Sequence, residues 1–152
     1  MVAFTDRRVY GLALGSFYHV YMAIEQLLDQ SKSTAAVAPI IGILSRIQRH
    51  DKFEEDLEYF LGPDWKARVV PSKPVQCYLM RLQDVAKQQP YLLIAHSFAM
   101  HAALMAGGQL TKRMLTKHEP VQPLRAEYKR IINSLPEVLT DQQVEEACLL
   151  LD

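Results

Sequence analysis

The side chains best suited to chemistry gather on residues 95–109, Ala95-His96-Ser97-Phe98-Ala99-Met100-His101-Ala102-Ala103-Leu104-Met105-Ala106-Gly107-Gly108-Gln109. Imidazole and thioether groups there are donors for a transition metal. In a helix, Ala95, Ala99, Ala103 and Gly107 share one face that carries almost no side chain. A strip so bare lets a flat guest, or another backbone, come very close. The Gly107-Gly108 pair weakens a helix by roughly 1 kcal/mol per glycine relative to alanine, which argues for a bend or tight contact there. Met100 lies on the side of Ala103 and Gly107, and His101 and Met105 form an i, i+4 pair beside it. Met100 and His101 are the candidate metal donors, with His96, Met105 and His118 close by in sequence.

Other reactive groups are more scattered. His50 and Glu54 are four apart, but no second carboxylate–histidine set accompanies them, so they read as a surface ion pair. His19 reads as exposed or locally satisfied. Arg125 and Lys129 share one helix face and present two cations to an anion or to solvent. Cys77 and Cys148 have neither metal spacing nor a disulfide framework and read as reduced thiols in a cytoplasmic setting.

Helical periodicity supplies the elements that position these groups. Thr5 to Gln30 forms one long helix with Val9, Leu12, Ala13, Ser16, Phe17, Val20, Ile24, Leu27 and Leu28 on its apolar stripe, and Tyr18 and Tyr21 off it, facing a cavity or a neighbour. Residues 35–43, interrupted by Pro39 and Gly42, suit a loop with a short helix. Leu44 to Leu61 is helical and ends at Gly62-Pro63, with Trp65 beyond it as a packing anchor. Pro74 sits in the first turn of a helix running to about Gln88, which buries Val75, Tyr78, Leu79, Leu82 and Val85. Pro90 opens the glycine-bearing helix, which reaches about Thr116. After a connector at Glu119–Pro123, a helix covers Leu124–Leu135. Thr140 and Gln143 match a capping box before a last helix, Val144–Leu150. No alternating run of strand length remains.

At 152 residues, 49% hydrophobic and 22% charged, the chain is sized for a single soluble domain, residues 1–152. Its 17 basic and 17 acidic residues cancel, so bulk charge does not favour nucleic acid or an anionic membrane. No run reaches the ~18 apolar residues of a membrane span.

Several blocks together resemble the haem oxygenase family: Phe17-Tyr18-His19-Val20-Tyr21, Asp56-Leu57-Glu58-Tyr59-Phe60-Leu61-Gly62-Pro63-Asp64-Trp65, Pro90-Tyr91-Leu92-Leu93-Ile94-Ala95-His96, Gly107-Gly108-Gln109 and Tyr128 to Leu135. The resemblance implies an all-α, compact multi-helix bundle with haem as ligand or substrate. In that family haem lies between a proximal helix bearing the ligand histidine and a glycine-kinked distal helix, whose aspartate orders a proton-delivering water network. Carried onto this chain, the distal contacts are Phe98, Met100, Ala103, Leu104, Gly107 and Gly108, and the propionate partners are Arg125 and Lys129. Leu104 stands where the family has its aspartate and cannot order water or relay a proton. Phe98 replaces a tyrosine and Met100 an arginine. No residue aligns with the ligand histidine, because the chain begins at about the second helix of its relatives, and the connector before Leu124 is shorter than theirs. The chain stops without the C-terminal anchor some relatives carry, which implies a soluble form.

Two functions follow as expectations. One is a haem oxygenase-like protein, haem-binding or degenerate, that has lost the usual catalytic apparatus, binds haem weakly or not at all and acts by binding or by partner contact; the other is a diverged oxygenase that cleaves haem to biliverdin, carbon monoxide and iron with a substitute axial ligand and a reductase partner. A chain that is part of a longer product would explain the missing helix but not Leu104. Absence of that helix would also uncover apolar faces and favour a homodimer.

Overall fold

In the computed structural model, backbone is described over residues 7–115, 122–134 and 139–148, and side chains over 7–104, 127–134 and 139–147. Among the described residues the regular structure is entirely helical. The helices are α1 (Arg7–Gln30), α2 (Ala38–Ile47), α3 (His50–Leu61), α4 (Trp65–Arg68), α5 (Lys73–Gln88), α6 (Leu92–Leu115), α7 (Gln122–Ser134) and α8 (Asp141–Cys148).

Helix α1 is the hub. It packs most heavily on α3 and α5, and then on α6. It is apolar on two faces rather than one. Gly11, Gly15, Tyr18, Tyr21 and Glu25 form a buried face against α3, α4 and Val69. The glycines admit that approach: a Cβ on Gly11 would lie 2.7 Å from Leu61, and one on Gly15 would lie 2.2 Å from Val69. The opposite face follows the stripe read from the sequence, but only its second half is covered. Val20, Ile24 and Leu28 are buried, whereas Val9, Leu12 and Phe17 are exposed at 42%, 43% and 51%. Of the cavity or neighbour open to Tyr18 and Tyr21, the structure shows a neighbour: their rings are core, packed edge-on to Trp65 and tilted against Phe53 respectively.

The larger core cluster joins Val20, Ile24 and Leu28 to Val37, to Ile40, Ile43, Leu44 and Ile47 of α2, to Leu82 of α5, to Leu93 and Ile94 of α6, and to Tyr128 of α7. Full burial of each aliphatic side chain stabilises by about 1.5–3 kcal/mol. The second cluster holds Tyr18, Tyr21, Phe53, Leu57, Leu61, Trp65 and Val69. Arg46 of α2 meets Glu127 of α7 at 2.6 Å. On α5 only Leu82 is fully buried, while Val75, Tyr78, Leu79 and Val85 are partly covered.

The single helix expected over 44–61 is broken at Gln48-Arg49, where Gln48 is extended with ψ 146°. The break frees the amides that open α3, and Glu25 accepts them. Gly62 ends α3 at φ +87°, a region that strains any side chain. The capping box at α8 is formed: Thr140 N–H donates to Gln143 Oε1 at 3.0 Å, and Gln143 N–H donates to Thr140 Oγ1 at 3.4 Å. Gly42 lies inside α2, and a Cβ added there would meet nothing within 4 Å. Gly42→Ala is therefore expected to raise stability by about 0.5–1 kcal/mol, read as a higher urea midpoint at unchanged slope.

Candidate functional site

Helix α6 enters the core at its start and leaves it midway. Leu92 through Ser97 are buried, while Ala99, Ala103 and Leu104 are exposed. The strip of small residues thus emerges at Ala99, with Leu104 beside it at 36% exposure. Phe98 is partly buried, its ring 5.8 Å from that of Tyr128. Met100 is partly buried against both core clusters, and its carbonyl accepts a 2.6 Å hydrogen bond from Tyr21 Oη. Gly107 and Gly108 continue the helix, and their surroundings, with those of Met105, lie outside the described residues. So do His118, the 119–121 part of the connector and the side chain of Arg125. Lys129 is exposed on α7.

The inner side of α6 is polar. Ser97 Oγ lies 2.9 Å from Tyr128 Oη, and His101 Nδ1 lies 2.8 Å from the Ser97 carbonyl. His101 is 1% exposed, and its Nε2 has no hydrogen-bond partner. That nitrogen faces Glu25 Oε1 across 3.7 Å. Glu25, itself 4% exposed, accepts the Arg49 amide at 2.6 Å and faces His50 Nδ1 at 2.5 Å. Burial alone would raise the Glu25 pKa. The imidazoles of His101 and His50 and the Arg49 amide outweigh it and hold the carboxyl below its usual range.

Each histidine with described surroundings is engaged away from the strip. His19 pairs with the Val69 carbonyl at 3.1 Å. His96 Nδ1 lies 2.8 Å from Tyr78 Oη; burial, aided by the charge of Arg81, lowers its pKa and keeps it neutral near pH 7. His50 pairs with Glu25 and Asp51. It does not pair with Glu54, which instead accepts from Tyr18 Oη at 2.8 Å. Burial and that bond push the Tyr18 phenol up to about 12. No group of three or more described histidines, cysteines and carboxylates could hold a metal ion. Among the described residues no imidazole is turned toward the strip. Glu25 is the buried charged side chain that sequence reasoning missed. Its signal was position: it continues the 11, 15, 18, 21 face as the one acid on an otherwise apolar surface.

Crossing helices around α1, with one long helix that bares Ala99 and Ala103 midway, define an all-α bundle. The family model described as Heme oxygenase matches residues 2–139, and the chain belongs to the haem oxygenase family. It is 32% identical over 109 residues to the heme oxygenase of Porphyra purpurea, which covers 72% of this chain and 45% of that one. It is 33% identical over 107 residues to human heme oxygenase 1, covering 70% and 36%. The chain thus spans less than half the length of these relatives. The structure of heme oxygenase 2 from Chlamydomonas reinhardtii, solved without heme, superposes with a TM-score of 0.88 at 25% identity, covering 98% of this chain and 78% of that one. Heme oxygenase-2 of Synechocystis, solved with heme and NO, gives 0.81 at 26% identity, covering 96% and 66%. No helix among the described residues is long and apolar enough to cross a membrane.

Proposed function

We propose that this chain is a single-domain haem-binding member of its family in which the oxygen-activating side of the site has been made apolar. The observation that carries the reading is Leu104, exposed beside Ala99 and Ala103 at the position where the family resemblance implies an aspartate. Haem, when bound, supplies a redox-active iron and a flat apolar plane. Ala99 and Ala103, small and exposed, would receive the plane at close range. Leu104 and Phe98 add apolar cover, and neither holds or moves a proton. Lys129, exposed on α7, would offer a cation to the propionates, with Arg125 as the second cation that the family resemblance implies. Met100, partly buried against both core clusters, would be the substitute donor in the competing reading of an active, haem-cleaving enzyme served by a reductase. Exposed Leu12 and Phe17 support pairing of two copies as a homodimer. The free thiol of Cys77 suits a reducing, cytoplasmic compartment.

Haemin titration followed at the Soret band tests the reading. The expected result is a saturable one-to-one shift, with no biliverdin or carbon monoxide released when ascorbate or a flavoprotein reductase is supplied. Ala103→Phe fills the strip from an exposed helix position. It should weaken haemin binding by at least about tenfold, because overpacking costs about 1–3 kcal/mol, while leaving the thermal midpoint nearly unchanged. Absence of any Soret shift in the parent protein removes the binding reading. Clean release of biliverdin replaces it with the enzyme.

A further inference from the structure

A single buried carboxylate ties three helices at the root of the open strip. Glu25 projects from α1. Its Oε1 accepts the amide of Arg49, the residue preceding α3, at 2.6 Å. Its Oε2 takes the His50 side chain at 2.5 Å and lies 3.4 Å from the His50 amide. Arg49 has no side-chain cap of its own, so Glu25 caps α3 from a neighbouring helix and satisfies amides that would otherwise be orphaned. From α6 the same carboxylate meets the otherwise unpartnered Nε2 of His101.

The groups around the cluster can be named element by element. On α1 the ionisable neighbour is Tyr21, whose ring lies edge-on to His101 at 5.0 Å. At the start of α3 stand Arg49, His50 and Asp51, the last 2.9 Å from His50 Nε2. On α6 the group is His101 itself, held by Ser97, and α7 brings Tyr128 to that serine. Nothing else anionic in this set reaches His101.

We infer that Glu25 is a positioning residue for the α6 strip: its negative charge holds His101 one turn before Leu104 and so fixes the rotation at which Ala99, Ala103 and Leu104 are presented. The consequence for ligand binding rests on the haem-binding function proposed above, but the tie itself does not. A carboxylate facing Nε2 favours a proton on that nitrogen, in competition with the Ser97 carbonyl, which can only accept from Nδ1. Removing the charge leaves one neutral amide oxygen to serve both His101 Nε2 and the amides that open α3, and puts an NH2 where the second acceptor stood.

Glu25→Gln keeps the shape and removes the charge, and Glu25→Asp keeps the charge on a shorter arm. In Glu25→Gln, nitrogen-detected NMR should show His101 losing its preference for a proton on Nε2. Hydrogen exchange of the 99–104 amides should speed up by about tenfold, as expected for loss of one charged hydrogen-bonding interaction, while α5 is unaffected. Glu25→Asp should restore part of both. The acid limb of stability supplies a readout that packing alone would not move. The folded carboxyl titrates below its ordinary value of 4.5, so its contribution is full above the unfolded value and is lost as pH falls through the folded one. Glu25→Gln should flatten that limb.

Should Glu25→Gln not fold, protection factors of the parent protein at pH 7 and pH 3 replace it, with selective loss in 99–104 at the lower pH expected. Unchanged His101 nitrogens together with unchanged 99–104 protection, in the variant or at low pH, would overturn the inference. If the parent binds haemin, Glu25→Gln should weaken it about tenfold, in step with the exchange. If the parent binds none while the exchange and NMR effects hold, the haem reading fails and the tie survives.

Discussion

Tyr21→Ala is expected to cost about 3–5 kcal/mol of stability, the range for truncating a large aromatic in a packed core. The ring is 2% exposed, sits 5.2 Å from Phe53 and 5.0 Å from His101, and its hydroxyl donates to the Met100 carbonyl at 2.6 Å. It is the side chain by which α1 holds both α3 and the exit point of α6. Tyr21→Phe keeps the packing and removes only the hydroxyl, so about 1 kcal/mol is expected from the lost hydrogen bond. Urea unfolding of the two variants separates the terms. A loss from Tyr21→Ala no larger than that from Tyr21→Phe would mean that the ring packs far less tightly than its burial implies.

Gly15→Val should be nearly as damaging. Even a lone Cβ there would stand 2.2 Å from Val69 Cγ1 and 3.0 Å from Cγ2, and the branched side chain adds two more methyls on a buried face. Relief requires Val69 to withdraw or α1 to lift from α3, at a cost of about 3 kcal/mol, the upper end for overpacking. Gly15→Ala should lie between this and the parent. A smaller partner rescues: Val69→Ala combined with Gly15→Ala should be less destabilised than the sum of the single changes, because the two sites touch. Thermal midpoints with a double-mutant cycle measure the coupling.

Helix α6 was legible because alanine and glycine at a period of four declare a bare face whatever surrounds it, and its bounds came out within two residues. The terminal capping box at Thr140 was legible for a similar reason, since its two partners are three residues apart. What escaped depends on neighbours distant in sequence. The break at Gln48-Arg49 has no local cause, as neither residue is a breaker; it is stabilised by Glu25, more than twenty positions away. The α1 stripe was a correct apolar face whose first half finds no cover, and periodicity reports apolarity, not cover. Gly11 and Gly15 were the overlooked signal for the opposite face, since a pair four apart marks a surface that a neighbour approaches closely. Within the site, the strip and Leu104 were readable one residue at a time. The inward turn of His101 was not, because it is set by Ser97 and Glu25 together.

The bare first half of α1 also bears on how the protein behaves in the tube. Leu12 and Phe17 stand in solvent on a molecule whose 17 basic and 17 acidic residues leave no net charge. Near neutral pH two such molecules collide without mutual repulsion, and greasy ridges that touch are not pushed apart. Concentrated stocks should therefore cloud soonest around pH 7 and clear when the buffer is moved well to either side while the fold holds, a trend that static light scattering against pH would trace directly.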